Sequence, residues 1–425
     1  MTERVAPLSL SILTVAAWAL SLAVFAGRPE LFVVALPLLV TLAALGLRPS
    51  IPDYGLTHVI SGDPVFEGDT VTVTVAVTAR SAIPLMELVE PLTPEPSLAP
   101  ARQRSVLALQ AGQTVQWRYE VRCGGRGRFE LGACLVRTWD GLGLRAWERS
   151  HNEPQRVRVY PTILPLRTLP RPLRTQMSIG DHVSRDLGEG IEPGDIREFA
   201  PGDRIKQVNW RASLRLGRLY VTQHHRERNA DVVLMLDTLA EVGRAPATTL
   251  DLAVRAAASL AAAYLARKDR VGLINYGGLI HWVKPGTGRV QYERLADALL
   301  GAAVVFTYVA KDLALVPPRV LPPNALVIAL TSLLDRRFAR AIIDLAGRGF
   351  DLVTLVVSPV DVTRASLPPS PRTDLACRLW ALERRAQLDD LRRRGLLVLE
   401  WHPSQPLELA LATVGRRRPR LVAAG

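Results

Sequence analysis

The run Asp231-Val-Val-Leu-Met-Leu-Asp237 decides the fold. An uninterrupted set of apolar residues between two acids leaves no polar face, which is the pattern of a strand covered on both sides. Downstream, the Ala-rich residues 247–268 read as a helix, Val271-Gly-Leu-Ile-Asn275 as a second strand, and Leu279-Ile-His-Trp-Val283 as a short antiparallel partner. Helices over 291–300, 336–347 and 373–394 alternate with strands over 325–330, 352–357 and 396–400. Strands alternating with helices predict a doubly wound α/β domain spanning residues 231–425.

Upstream the period is two. Thr70-Val-Thr-Val-Thr-Val-Ala-Val-Thr78 and Val115-Gln-Trp-Arg-Tyr-Glu-Val-Arg122 alternate apolar with polar residues, and so does Arg156-Val-Arg-Val-Tyr160. Turn residues separate them at Glu67-Gly68-Asp69, Gln110-Ala-Gly112 and Asp140-Gly141. Short alternating strands at this spacing predict a small all-β, sandwich-like domain over residues 51–160.

Residues 1–50 differ again. Leu8 to Ala26 and Leu31 to Leu47 carry no charge, and only Gly27-Arg28-Pro29-Glu30 separates them. Each run approaches the roughly 17–25 residues of a membrane-spanning helix. A second spanning run directly after the first argues against a cleaved signal peptide. The expectation is a transmembrane helical hairpin. Arg4 and Arg48 lie on the side of the chain ends and Arg28 in the loop, so the positive-inside rule places the soluble domains in the cytoplasm, on the inner membrane.

The net charge is +13. Scattered arginine is consistent with a GC-rich genome, with attraction to anionic lipid headgroups, or with nucleic acid. Three cysteines, Cys123, Cys134 and Cys377, form no zinc ribbon or disulfide framework. Cys123 and Cys134 fall on strands predicted to be neighbours and stay thiols in a reducing compartment.

Residues 161–230 read as a connector with its own signature, Glu192-Pro-Gly-Asp-Ile-Arg-Glu-Phe-Ala-Pro-Gly-Asp-Arg-Ile-Lys-Gln-Val-Asn-Trp-Arg-Ala-Ser-Leu-Arg-Leu-Gly-Arg-Leu-Tyr-Val221. Gly194 and Gly202 suit turns that need positive φ, and Asp195 and Asp203 can hydrogen-bond their own turns. Arg197, Arg204, Arg211 and Arg218 have acids within reach for bidentate pairing. Asn209, Trp210 and Arg211 precede a Gly217-Arg218 turn. Trp210 suits an anchor in a groove of the adjacent domain, so the segment is expected to staple the two folded regions together. The alternative is a docking surface for a partner protein.

This segment resembles the signature of the family called domain of unknown function 58. The order of hairpin, β region, signature and α/β domain also fits that family. The resemblance implies that the α/β domain is similar to a von Willebrand factor type A domain, and that the protein works with a MoxR-type AAA+ ATPase in assembly or maturation of other proteins. Type A domains often carry Asp-x-Ser-x-Ser after the first strand and Thr-Asp or Ser-Asp after the fourth, binding a hard cation such as Mg²⁺ through oxygen ligands. Here the first element is Asp237-Thr-Leu-Ala-Glu241 and the second Thr331-Ser332, with Asp335 three residues on. Asp237 and Thr331 are the candidate metal residues of a degraded site, and no cofactor is expected. His224 and His225 are adjacent on a strand and point to opposite faces, so they do not share an ion.

There is no P-loop and no Gly-x-Ser-x-Gly elbow. The sequence therefore predicts a membrane-anchored, non-enzymatic adaptor. A membrane-linked hydrolase and a basic nucleic-acid binder are the alternatives.

Overall fold

The computed structural model describes residues 2–28, 30–43, 51–62, 64–91, 98–99, 102–151, 153–170, 183–200, 205, 208–227, 230–307, 313 and 316–414. Contacts divide the chain into two compact units, Met1–Tyr160 and Pro161–Gly425.

The first unit opens with strand β1 (Thr2–Val5) and helix α1 (Pro7–Phe25). Helix α1 starts on a proline at its N-terminus, where no backbone donor is lost. Its window Leu8–Phe25 is long and apolar enough to cross a membrane, and little of it is covered by protein. Trp18 and Phe25 are among the large side chains it exposes. Helix α2 (Leu31–Ala43) packs against it and is apolar over Leu31–Thr41.

Strands follow in the order β2 (Tyr54–Ile60), β3 (Val65–Phe66), β4 (Thr70–Ala79), β5 (Ile83–Pro91), β6 (Leu98–Ala99), β7 (Arg102–Leu109), β8 (Thr114–Cys123), β9 (Gly127–Leu131), β10 (Cys134–Trp139), β11 (Arg145–His151) and β12 (Gln155–Tyr160). They form sheets ordered β1-β11-β10-β5-β7, β2-β4-β8-β6 and β3-β12-β9. Pairing is antiparallel apart from the short β3–β12 contact. The alternation read at 70–78 is literal: Val71, Val73, Val75 and Val77 are buried in one core with Leu88, Val136 and Val159 from the other sheets.

Cys123 and Cys134 do not lie on neighbouring strands. Strand β8 belongs to one sheet and β10 to another, and both residues are free, buried thiols. Burial pushes the Cys123 thiol up to about 11 and the Cys134 thiol up to about 12, so both stay protonated and unreactive. Ahead of the first apolar helix, Thr2–Val5 pairs antiparallel with Arg145–Glu148 of β11.

In the second unit, strands β13 (Val183–Glu198) and β14 (Tyr220–Glu227) pair antiparallel around helix α3 (Trp210–Leu216). The α/β elements are β15 (Asp231–Thr238), α4 (Thr249–Ala266), β16 (Arg270–Gly277), β17 (His281–Gly286), α5 (Gly288–Leu300), β18 (Leu326–Thr331), α6 (Arg336–Gly347), β19 (Asp351–Val357), α7 (Pro359–Ser366), α8 (Pro371–Arg393), β20 (Leu397–Trp401) and α9 (Leu407–Ala412). The sheet order is β17-β16-β15-β18-β19-β20, parallel except for β17. Helices α4, α5 and α9 cover one face, and α6 and α8 the other. The connector reading of 161–230 is corrected in part. Its first residues belong to the α/β unit: Tyr264 Oη donates to Pro170 O (2.5 Å), Leu164 N–H donates to Ser259 Oγ (2.8 Å), and Leu169 enters the core.

Candidate functional site

Strand β15 lies between β16 and β18, where the sheet order reverses. Such a switch point leaves a crevice beyond the carboxyl ends of the strands. Asp237, next to last in β15, and Thr331, last in β18, lie at these ends. Gly277 ends β16, and a Cβ at that position would come 2.1 Å from Thr238 Oγ1, so glycine lets the two strand ends close up.

The crevice is filled by its own hydrogen bonds. Thr331 Oγ1 donates to Asp237 Oδ2 (2.5 Å), and Leu239 N–H donates to Asp237 Oδ1 (3.1 Å). Leu333 N–H donates to Thr331 Oγ1 (2.7 Å). Burial pushes the Asp237 carboxyl up to about 7, against the pull of these donors. Asp335 caps α6 and is gripped by Arg337, whose Nη2 lies 2.6 Å from Oδ2 and whose Nη1 donates to Thr307 O (2.7 Å). That guanidinium holds the Asp335 carboxyl below the usual carboxylate range. Leu333 adopts φ 51°, and Arg384, buried on α8, supports this turn by donating to Leu333 O (2.8 Å) and Ser332 O (2.5 Å). Burial lowers the Arg384 pKa.

The oxygen groups of the crevice are engaged with one another and with the backbone. Both Asp237 oxygens and the Thr331 hydroxyl are engaged with protein, Asp335 faces a guanidinium, and the two serine positions of an adhesion-type site hold Leu239 and Glu241. No group of three His, Cys, Asp or Glu among the described residues is disposed to hold a metal. Arg337 and Arg384 were invisible to sequence reasoning, because an arginine on a helix reads as solvated until its neighbours are known.

The signature segment is built around α3. Asn209 caps α3, its Oδ1 accepting from Ala212 N–H (3.0 Å), and Gly217 ends it in the left-handed region at φ 71°. Ser213 pins the helix to β14 by accepting from Tyr220 N–H (2.9 Å). Trp210 is not the groove anchor expected of it. It is 59% exposed, and Leu214, one turn on along the same face, is 85% exposed. Leu216 and Leu219 are exposed as well, with Arg211, Arg215 and Arg218 among them. Arg218 pairs with Glu198 (3.1 Å), and Arg197 Nη1 donates to Glu198 O (3.0 Å). Gly194 and Asp195 lie on β13; Gly202, Asp203 and Arg204 lie outside the described residues. His224 and His225 are successive residues of β14.

Residues 195–378 match the family described as protein of unknown function DUF58. The chain carries a DUF58 domain. This domain takes in the end of β13, α3, β14 and the α/β elements as far as α8. Two mycobacterial proteins, the uncharacterized protein Rv1480 of Mycobacterium tuberculosis and the uncharacterized protein Mb1516 of Mycobacterium bovis, are each 34% identical over 113 residues. That stretch covers 26% of this chain and 36% of either relative, so it spans about a third of their length. Among solved structures, a β-glucosidase of Erythrobacter marinus aligns over 25% of this chain and 15% of its own, at 13% identity and a TM-score of 0.16. A β-glucosidase of Listeria innocua aligns over 27% and 17%, at 15% identity and a TM-score of 0.17. Likeness this slight carries no argument about the DUF58 domain.

Proposed function

We propose that the protein is a membrane-anchored, non-enzymatic adaptor whose DUF58 domain is a von Willebrand factor type A-like binding module. The strand order, with an antiparallel third strand at one edge, supports the type A reading. The shared core of the N-terminal sheets supports a β-sandwich. Pairing of β1 with β11 supports a two-helix hairpin, because residues on either side of α1 and α2 then meet on one side of the bilayer. A single crossing would separate them. The Arg4 and Arg48 bias favours the cytoplasmic side.

The observation that carries the adaptor reading is the exposed α3 surface. Trp210 and Leu214 stand out from a capped, pinned helix among arginines, and aromatic and Arg side chains dominate interface anchors. In the crevice, by contrast, Asp237 and Asp335 are held by Thr331 and Arg337. The partner implied by family resemblance is a MoxR-type AAA+ ATPase acting on other proteins. Full chain solubilised from membranes should co-purify such an ATPase, identified by mass spectrometry, and Trp210→Ala with Leu214→Ser should lose it. Equal recovery with both proteins, or recovery of salt-sensitive nucleic acid in its place, would overturn the reading.

A further inference from the structure

Helix α8 has two apolar faces, and the core uses only one. Cys377, Arg384, Leu388 and Leu391 are buried, the two leucines in the core on the sheet face that α8 covers. At 3.6 residues per turn they fall within about 60° of arc. Leu375, Leu379 and Leu382 are each 60% exposed, and Ala386 is exposed too. These residues lie within about 60° of arc on the opposite side. Their spacing of four, three and four is that of alternating d and a positions in a coiled coil. Arg372, Asp389 and Arg393 close the stripe at its ends.

The flanks of the stripe differ in charge. Arg378 and Arg385 line one side at g positions; Ala376, Glu383 and Asp390 line the other at e positions. Arg378, Glu383 and Arg385 make no salt bridge among the described residues. In a parallel pair of helices, g of one chain faces the e five residues on in the other. Arg378 then meets Glu383 of the second copy, while Arg385 comes near Asp390, which already pairs with Arg394 of its own chain (2.9 Å). An antiparallel pair would set Arg378 against Arg385. An anionic bilayer would leave Glu383 facing like charge, whereas a second copy supplies it with Arg378.

We propose that α8 is a homodimerisation helix, two copies packing in parallel through Leu375, Leu379, Leu382 and Ala386 about a two-fold axis along the helix. The stripe is too short for a free coiled coil. Here the helix is already ordered on the sheet, so no nucleation cost attaches to pairing. The contact is isologous, with each flank complementary to the other.

The test uses the full chain in detergent micelles, with protein mass from light scattering and cross-linking by mild oxidation. The wild type should run at twice the 46.6 kDa chain mass. Leu379→Cys should form a disulfide-linked dimer, since the native cysteines are buried. Arg378→Glu should weaken dimerisation about tenfold by replacing two symmetric ion pairs with two repulsions. Adding Glu383→Arg to that variant should restore it. All three sites are exposed, so folding is retained, and an unchanged melting curve verifies this. A single-chain mass in the micromolar range overturns the proposal. So does a dimer that Leu379→Cys fails to cross-link, or one indifferent to the charge swap.

Discussion

Two regions of the DUF58 domain carry its most distinctive residues, and they treat them in opposite ways. At the crevice, Asp237, Thr331, Asp335, Arg337 and Arg384 spend their hydrogen-bonding capacity on each other and on the backbone. At α3, Trp210 and Leu214 are presented to solvent by a helix fixed from below by Asn209 and Ser213. The crevice is where a fold of this order usually binds a ligand, and here its polar groups bond to one another and to the backbone. The contrast teaches that position in a fold does not by itself assign a role. What decides is whether the polar groups are already satisfied and which side chains are left over.

The comparison breaks most readily at the crevice. Arg384→Leu should cost roughly 3 kcal/mol, because it strips buried donors from two carbonyls of the Leu333 turn. Chemical denaturation of the full chain, followed on the transition of the DUF58 domain, measures it. A ligand-binding crevice would tolerate the change at some cost in binding only.

Thr331→Val keeps the shape and removes the hydroxyl between Asp237 and Leu333. The loss should be roughly 1–3 kcal/mol, since a buried N–H and a buried carboxyl lose a partner. Thr331→Ser should recover most of it.

The pH response sharpens the account further. The folded Asp237 carboxyl, at about 7, lies above its ordinary value of 3.8. The folded state therefore holds its proton more tightly. The resulting stability is fully present below the unfolded value and is lost as pH rises through the folded one. Asp237→Asn should show no such loss, so its melting temperature should gain on the wild type between roughly pH 4 and 7 and level off above. Glu90, also pushed up to about 7 by burial, has the same sign but lies in the other unit and is common to both proteins. A constant gap across that range would show that Asp237 titrates normally.

The smallest effect belongs to α3. Arg218→Ala removes an exposed pair with Glu198 and should change stability by less than about 1 kcal/mol. A larger loss would mean that the signature is held together by its charges.

Much of this was legible in the sequence. The strands of the α/β sheet were readable because a strand buried on both faces has no choice but a continuous apolar run, as at Val232–Leu236, and the β-domain core because half-buried strands alternate, as at 70–78. Asp237 and Thr331 were placed at the strand ends by the same logic. Their mutual hydrogen bond was not legible, because it depends on a side-by-side pairing that the sequence does not state. Strand β1 was missed because four residues carry no period. Trp210 was misjudged because a seven-residue helix is too short to show which face is covered, and a large aromatic was assumed to be buried. The outward stripe of α8 was present in the spacing of Leu375, Leu379 and Leu382. It stayed hidden because the same helix needs a second stripe for its own core.

One paired measurement tests the central claim most directly. Trp210→Ala and Asp237→Ala are compared in the full chain for melting temperature and for capture of the membrane-extracted partner. The account predicts that Trp210→Ala melts with the wild type, within the roughly 0.5 kcal/mol usual for exposed sites, while capture collapses. It predicts that Asp237→Ala melts earlier while the folded fraction captures normally. The reverse pattern, an early melt for Trp210→Ala and lost capture only for Asp237→Ala, would contradict it and return the binding role to the crevice.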